Sequence, residues 1–224
     1  MTALARLLQL ASPALPVGAY SYSQGLEAAV EARTVTGAES AGRWIGDALT
    51  LNVAKFEAPV WCRLYEAWKA REFGDVRRLN GFFSAARETA ELRAETLQMG
   101  YSLRRLCVEL GEFDKGALAE LQTMEEIVFP AAFTFVATQW EIPERDALVA
   151  YLWSWLENQV MAALKAIPLG QTDGQRLLLR SGADLSSIAD EAMAAEDATL
   201  ANFAPGLAIA CSRHETQYSR LFRS

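Results

Sequence analysis

Residues 143–166 read PERDALVAYLWSWLENQVMAALKA, which is the pattern of a long buried helix. Pro143 stands at its start, where a proline is tolerated, and Pro168 and Gly170 follow its end. The pattern therefore predicts a helix from Glu144 to about Ala166. Its uncharged run over residues 147–156 is shorter than the roughly 20 residues that cross a bilayer, so we expect this helix to be buried inside the protein.

The same helical periodicity continues along the chain in both directions. Ala, Leu, Glu and Arg dominate, and the alternating runs typical of strands are missing. Pro130 should separate two helices within a second uncharged run, residues 127–140. Further helices are predicted over residues 4–10, 24–30, 40–56, 59–71, 75–86, 87–109, 117–128, 131–140, 173–179, 186–195 and 206–213. We expect an all-α protein, with a single irregular domain of about ten helices over residues 1–224.

Composition limits the classes of function. Hydrophobic residues make up 51% of the chain and charged residues 22%, which is ample for a core, while a net charge of −7 disfavours binding to nucleic acid. Three widely spaced cysteines indicate a reducing compartment rather than a disulfide framework. Arg6 interrupts the apolar N-terminal run, unlike a signal peptide. We expect a soluble cytoplasmic protein that binds neither nucleic acid nor membrane.

Residues suited to catalysis are scarce. The chain has one histidine, His214, and no glycine-rich loop followed by Lys-Ser or Lys-Thr that would bind a nucleoside triphosphate. We therefore expect no catalytic residue, no cofactor and no enzymatic activity. One alternative is a helical enzyme or small-ligand protein that uses Trp153 and Trp155 as pocket walls. Another is a metal contact from Cys211 and His214, whose spacing places them on one face of a helix. We favour a small buried cysteine followed by a surface histidine, and expect no metal site.

The helix predicted over residues 87–109 begins with charged residues at a spacing of four. Arg87, Glu91 and Glu95 share one face, where the first pair should attract and the second should repel. We interpret this face as solvated.

The last residues of the chain have an unusual composition for a terminus. Residues 213–224 contain Tyr218, Phe222 and Leu221 together with several arginines, a combination typical of interface anchors. They either fold back on the core as a terminal helix or become ordered on a partner, and we favour the partner. Residues 15–27 offer a second candidate recognition surface, rich in Tyr, Ser, Gln and Gly. Lys165 either complements a helix dipole or presents a charge at a contact surface.

Four groups of residues resemble the urease accessory protein F family. They follow the family's order from one end of the chain to the other and are residues 15–18 with 21–27, 87–89 with 91–93, 160–165 with 168–171, and 213–224. The sequence differs from the family pattern at Ala19, where the family often has a second glycine, and at Cys211, where Ser or Ala is expected. Ala19 suggests that this backbone position does not need a positive φ.

The resemblance implies an all-helical, dimeric maturation factor for the nickel centre of urease. Such a factor would bridge accessory protein D, also called H, and the GTPase accessory protein G, act on apo-urease, and modulate the GTPase. By position, accessory protein D would bind Arg213, His214, Glu215, Gln217, Tyr218, Ser219, Arg220, Leu221, Phe222 and Arg223. The dimer groove that faces the GTPase would contain Tyr22, Gln24, Glu27 and Lys165.

Overall fold

The chain is helical throughout the part that the computed structural model describes, residues 2–224; Met1 of the predicted domain lies outside it. No β-strand occurs in this part, so the all-α class is confirmed. The α-helices are α1 (Ala3–Leu10), α2 (Leu26–Glu31), α3 (Ala38–Ala48), α4 (Ala58–Ala70), α5 (Phe73–Ala85), α6 (Ala90–Leu110), α7 (Lys115–Thr123), α8 (Phe129–Gln139), α9 (Glu144–Ala166), α10 (Gln171–Gly182), α11 (Leu185–Ala194) and α12 (Pro205–His214).

Helix α9 has the bounds that its sequence predicts and lies at the centre of the fold. It packs against α1, α2, α3, α4, α8, α10 and α11. Helix α8 is buried on all sides over residues 129–137, as its uncharged sequence predicts. Tyr151 of α9 meets Phe133 of α8 edge to face, with ring centroids 5.1 Å apart, and Trp61 of α4 lies 6.1 Å from Tyr151. These three helices form the aromatic centre of the core.

A glycine sets the close approach of α6 to the start of α8. A Cβ atom at Gly100 would lie 2.1 Å from the carbonyl oxygen of Ile127, which no side chain allows. The glycine therefore fixes how closely the charged helix α6 packs on the core.

Helices α3 and α4 are joined without a break by a π-helical segment, Leu49–Glu57. The sequence predicts two separate helices here because Pro59 interrupts the pattern. The wider π turns come immediately before Pro59, whose ring lacks an N–H group and would crowd the preceding turn of a standard helix. This segment turns Glu57 into the interior, where it is buried.

Helix α7 is shorter than the sequence predicts, because the side chain of Asn80 makes the hydrogen bonds that the backbone would otherwise make in a last helical turn. It ends at Thr123 instead of about Val128. Asn80 donates to the carbonyl of Glu126 (3.1 Å) and accepts from the N–H of Val128 (2.9 Å), which satisfies the backbone of a non-helical link. Within residues 2–224, the helices are all too short or too polar to cross a membrane.

Candidate functional site

Residues 213–224 fold back against the chain's own N-terminal motif. Helix α12 ends at His214, and the residues after it run alongside the turn that precedes α2. The N–H of Arg223 donates to the carbonyl of Ser21 (2.8 Å), and the N–H of Ser23 donates to the carbonyl of Ser224 (2.9 Å). We call the contacts of residues 213–224 with residues 21–27 and 91–95 the tail junction. The two candidate surfaces that the sequence places at opposite ends of the chain therefore meet.

This arrangement corresponds to the fold-back that the sequence left as an alternative, but the segment after His214 is not helical. The expectation that a partner orders this segment stays a prediction.

Glycines shape the N-terminal side of the junction. Gly25, at φ +79°, begins α2, and a Cβ atom there would lie 2.9 Å from the sulfur of Cys211 on α12. Gly18, at φ +80°, opens the 3₁₀ turn Ala19–Ser21. Ala19 itself does not have a positive φ, which confirms the prediction made from its departure from the family pattern.

The carboxylate of Glu27 is the centre of the junction. It accepts from the backbone N–H of Leu221 (2.7 Å) and of Phe222 (3.0 Å), and it lies 3.2 Å from Nε2 of His214. Hydrogen bonds to an ionised acceptor are stronger than neutral ones. One side chain of α2 therefore positions the tail at three places.

His214 is completely buried between two carboxylates. Its Nδ1 lies 2.6 Å from Glu91 on α6, opposite the contact of its Nε2 with Glu27. The two contacts connect the ring to α2 on one side and to α6 on the other. Glu91 also pairs with Arg220, and its backbone N–H donates to Glu215.

The alternative of a metal contact finds no support in this geometry, and the favoured interpretation is right for the buried Cys211 but wrong for His214, which is buried and not at the surface. The carboxylates occupy both nitrogens of His214, and burial raises the pKa of the Cys211 thiol to about 12, so the thiol stays protonated. Within residues 2–224, no group of three or more His, Cys, Asp or Glu side chains is placed to hold a metal ion.

Glu95 joins the tail to α9 through a buried chain of hydrogen bonds. It accepts from the hydroxyl of Ser224 (2.6 Å) and from the amide of Gln24 (2.7 Å), while Trp155 donates its indole N–H to Gln24 (2.8 Å). Burial raises the pKa of Glu95 to about 7, although these hydrogen bonds oppose the shift. Tyr22 is buried next to this chain, and its carbonyl accepts from Asn158 of α9 (3.1 Å).

Arg87 and Glu57 form a second buried polar layer below Glu95. Their side chains are 2.8 Å apart, and both are more than nine-tenths buried. Tyr151 donates to the other oxygen of Glu57, and the guanidinium of Arg87 lies 4.2 Å above the ring of Phe83. The predicted pairing of Arg87 with Glu91 on a solvated face is therefore wrong, since Arg87 pairs with the residue that the π segment turns inward.

Sequence reasoning missed the roles of Glu57, Arg87, Glu91 and Glu95. For Glu95 a signal was available, because it shares a helical stripe with Leu92 and Met99, which are buried. A charged residue inside an apolar stripe indicates a buried polar contact rather than a solvated face.

Lys165 lies at the edge of the same junction, at the last turn of α9. Its Nζ is 5.7 Å from the ring centroid of Tyr20 and 5.8 Å from that of Phe222. Lys165 therefore contacts both the N-terminal motif and the tail. That it shares one groove with Tyr22, Gln24 and Glu27, as the resemblance implies, stays a prediction.

Residues 213–224, which we call the tail, have some side chains that face the core and others that face solvent. His214 and Phe222 point inward and are buried, together with Ser224, and Gln217 is half-buried. Tyr218 is fully exposed and Leu221 is 71% exposed. The remaining residues that the sequence assigns to a partner are also exposed, namely Arg213, Glu215, Ser219, Arg220 and Arg223.

A cavity of about 190 Å³ lies beside the junction, under residues 10–20. Trp155 lines it, as the small-ligand alternative predicted, together with Gln24 and Lys165. Trp153 does not; it packs over Gly182 of α10 instead.

Comparisons with known proteins agree with the resemblance in the sequence. Residues 35–182 match the family described as UreF. A urease accessory protein UreF of Azoarcus sp. (strain BH72) is 58% identical over 223 residues, which cover 99% of this chain and 95% of that protein. Proteins of the same name from Dechloromonas aromatica and Methylobacillus flagellatus are 53% and 50% identical, and each match covers 99% of this chain and 97% of the relative.

These matches include the N-terminal motif and the tail, which the family match over residues 35–182 does not reach. The relatives are named as accessory proteins and not as enzymes. This chain belongs to the urease accessory protein UreF family.

Proposed function

We propose that this chain is a maturation factor of urease that acts in the cytoplasm by contact with other proteins. It bridges accessory protein D and the GTPase accessory protein G, as a homodimer, in a complex that acts on apo-urease while the nickel centre is assembled. The name of the relatives supports a place among the urease accessory proteins. The identity of each partner is what the resemblance implies, and two surfaces of the chain support where each would bind.

The observation that carries the proposal is the division of the tail into an inward and an outward side. The inward residues contact Glu27 and Glu95, and these contacts set which side chains of the tail face outward. That side presents Tyr218 and Leu221 next to arginines, and large apolar groups with arginine are typical of energetic hot spots at interfaces. We assign this side to accessory protein D.

Lys165 supports a second, adjacent surface. It lies over the rings of Tyr20 and Phe222, so it contacts both the N-terminal motif and the tail. A partner that displaces Lys165 would therefore disturb the tail, and a partner on the tail would change the surroundings of Lys165. We assign the Lys165 side to the GTPase, with a coupling role between the two partners.

Co-purification with accessory protein D tests the first assignment. We expect Tyr218→Ala with Leu221→Ala to weaken binding at least tenfold, because both side chains are exposed and contribute little to the fold. The matched control is Leu179→Ala with Phe203→Ala, which removes two equally exposed apolar groups elsewhere. Unchanged binding by the first variant, or equal loss in the control, would contradict the assignment.

Turnover of GTP by accessory protein G tests the second assignment. We compare Lys165→Ala with Lys115→Ala, an exposed lysine at the start of α7. A rise in turnover with Lys165→Ala supports a restraining, coupling role, and a fall supports an activating one. No change relative to Lys115→Ala removes Lys165 from the mechanism.

Size measurement of the protein alone and with accessory protein D tests the homodimer.

A further inference from the structure

The cavity beside the tail junction has an interior that the proposed partner contacts do not use. Its volume of about 190 Å³ exceeds the roughly 150 Å³ of an engineered apolar cavity that holds benzene. It reaches the surface between Pro13, Tyr20 and Met161, which are exposed. A molecule the size of a substituted benzene ring therefore fits, and it has a path of entry.

The cavity is lined by apolar side chains and by polar ones, and we call the group of Arg87, Glu57, Tyr151 and Glu95 its floor; Glu157, Asn158 and Lys165 are among the other polar residues that line it. Its walls come from the N-terminal segment and from α5, α6, α8 and α9, and include Leu10, Phe83, Leu92, Met99 and Phe129. Pockets for small molecules combine these features, with an apolar enclosure and a few polar groups that orient the ligand.

Arg87 has hydrogen-bonding capacity that the protein does not use. One terminal nitrogen donates to Glu57, and the plane lies over Phe83. Its Nε is buried and has no hydrogen-bond partner within residues 2–224. A buried donor without an acceptor costs free energy, so an acceptor that reaches this guanidinium would be stabilising.

The charges at the floor select an uncharged ligand. The Arg87–Glu57 pair is already neutral as a unit, and Glu95 lines the cavity together with one further residue of each charge sign, Glu157 and Lys165. At Arg87 an anion would face the carboxyl groups of Glu57 and Glu95, and a cation would offer no acceptor to the unpaired Nε. A carboxamide offers a carbonyl to Arg87 and N–H groups to the spare lone pairs of the carboxylates.

We propose that this cavity binds a small uncharged molecule with a carboxamide-type head against Arg87 and an apolar ring or chain against Met99 and Phe129. The site is separate from the outward surface of the tail. Lys165, which we assign to the GTPase side, lines the cavity as well. The test is made on the protein alone, so its outcome does not require either proposed partner.

Methyl NMR of methionine-labelled protein with benzamide as the probe tests the site directly. Met99 and Met161 line the cavity, whereas Met124 and Met193 do not and serve as internal controls. We expect saturable shifts at Met99 and Met161, with a dissociation constant of about 1 mM or tighter, and unchanged signals at the two controls. No saturable shift at Met99, or equal shifts at all four methyl groups, would overturn the proposal.

The same titration with toluene and with benzoate tests the polar head. Toluene lacks the carboxamide, and benzoate replaces it with a charge. We expect benzamide to bind at least tenfold more tightly than either, because the head is the part that reaches Arg87. Equal or tighter binding of toluene or benzoate would show that the floor does not select a carboxamide.

A double variant, Glu57→Gln with Arg87→Met, removes the buried ion pair of the floor. Replacing both partners avoids an uncompensated buried charge, which a single change would leave. We expect the preference for benzamide over toluene to disappear while the shift at Met99 remains. If the preference persists in the folded variant, the head lies elsewhere and the proposal fails. If the variant does not fold, the comparison of the three probes on the unmodified protein still decides the matter.

Discussion

The core around α8 and α9 and the tail junction are both buried, but different forces hold them. In the core, Phe133 and its neighbours pack through apolar area, and no single atom defines the geometry. At the tail junction, Glu27 and Glu95 hold the tail through directional hydrogen bonds. The core is therefore stabilised by many small contributions, and the junction by a few large ones.

The difference has a consequence for function. Loss of one carboxylate should release the tail while leaving the core folded, because the tail adds only Phe222 to the apolar core. Local opening of this kind has a smaller free energy than global unfolding. A surface that binds a partner benefits from such independence.

The largest effect is expected in the core. Phe133→Ala should lower the free energy of unfolding by about 3–5 kcal/mol, because it leaves a cavity between α4, α8 and α9. Chemical denaturation measures the change, with Phe203→Ala, an exposed residue, as the control. Equal losses from the two variants would show that the aromatic centre does not dominate stability.

The next effect depends on pH and concerns Glu95. Its pKa is about 7 in the folded chain, above the ordinary value of 4.5, so the folded state keeps this proton at pH values where the unfolded state loses it. The protein should therefore lose stability from this group as the pH rises from about 4.5 to about 7.

Glu95→Gln should abolish that loss. The stability of the variant relative to the unmodified protein should increase with pH across this window by up to about 3 kcal/mol, and then stay level. Denaturation at several pH values measures the free energy of unfolding of the variant minus that of the unmodified protein. Groups that titrate in the same way in both proteins do not contribute to this difference. A difference that is constant from pH 4.5 to 8 would contradict the burial of an ionisable carboxyl at this place.

A local effect is expected at Glu27. Glu27→Gln should reduce the protection of the Leu221 and Phe222 amides from hydrogen exchange by about tenfold or more, because both donate to this carboxylate. Global stability should change less than in Phe133→Ala. Glu31→Gln, an exposed change on the same helix, is the control. A large global loss with Glu27→Gln would mean that the junction and the core unfold together.

The smallest effect on stability is expected on the outward side of the tail. Tyr218→Ala should change the free energy of unfolding by no more than about 0.5 kcal/mol, because the side chain is fully exposed. Denaturation of this variant and of the unmodified protein under the same conditions checks this. A larger loss would indicate that Tyr218 packs on the fold and would weaken its assignment to a partner.

The sequence predicted the helices well where the apolar residues follow the helical period and prolines mark the ends. The bounds of α9 follow from Pro143 at its start and Pro168 after its end, and the burial of α8 follows from its lack of charge. Predictions failed where a distant side chain intervened. Asn80 makes hydrogen bonds to the backbone where the last turn of α7 was predicted. Arg87 pairs with Glu57 and not, as predicted from their spacing, with Glu91.

The sequence by itself determined the all-α class, the position of the central helices and the family, because periodicity, prolines and local motifs are properties of neighbouring residues. Only the tertiary structure decided what the charged residues do. It placed His214 between carboxylates of α2 and α6, and it divided the tail into inward and outward sides. The pairing of residues nearly 200 positions apart depends on how the helices pack, and a solvated carboxylate and a buried one look the same in a sequence.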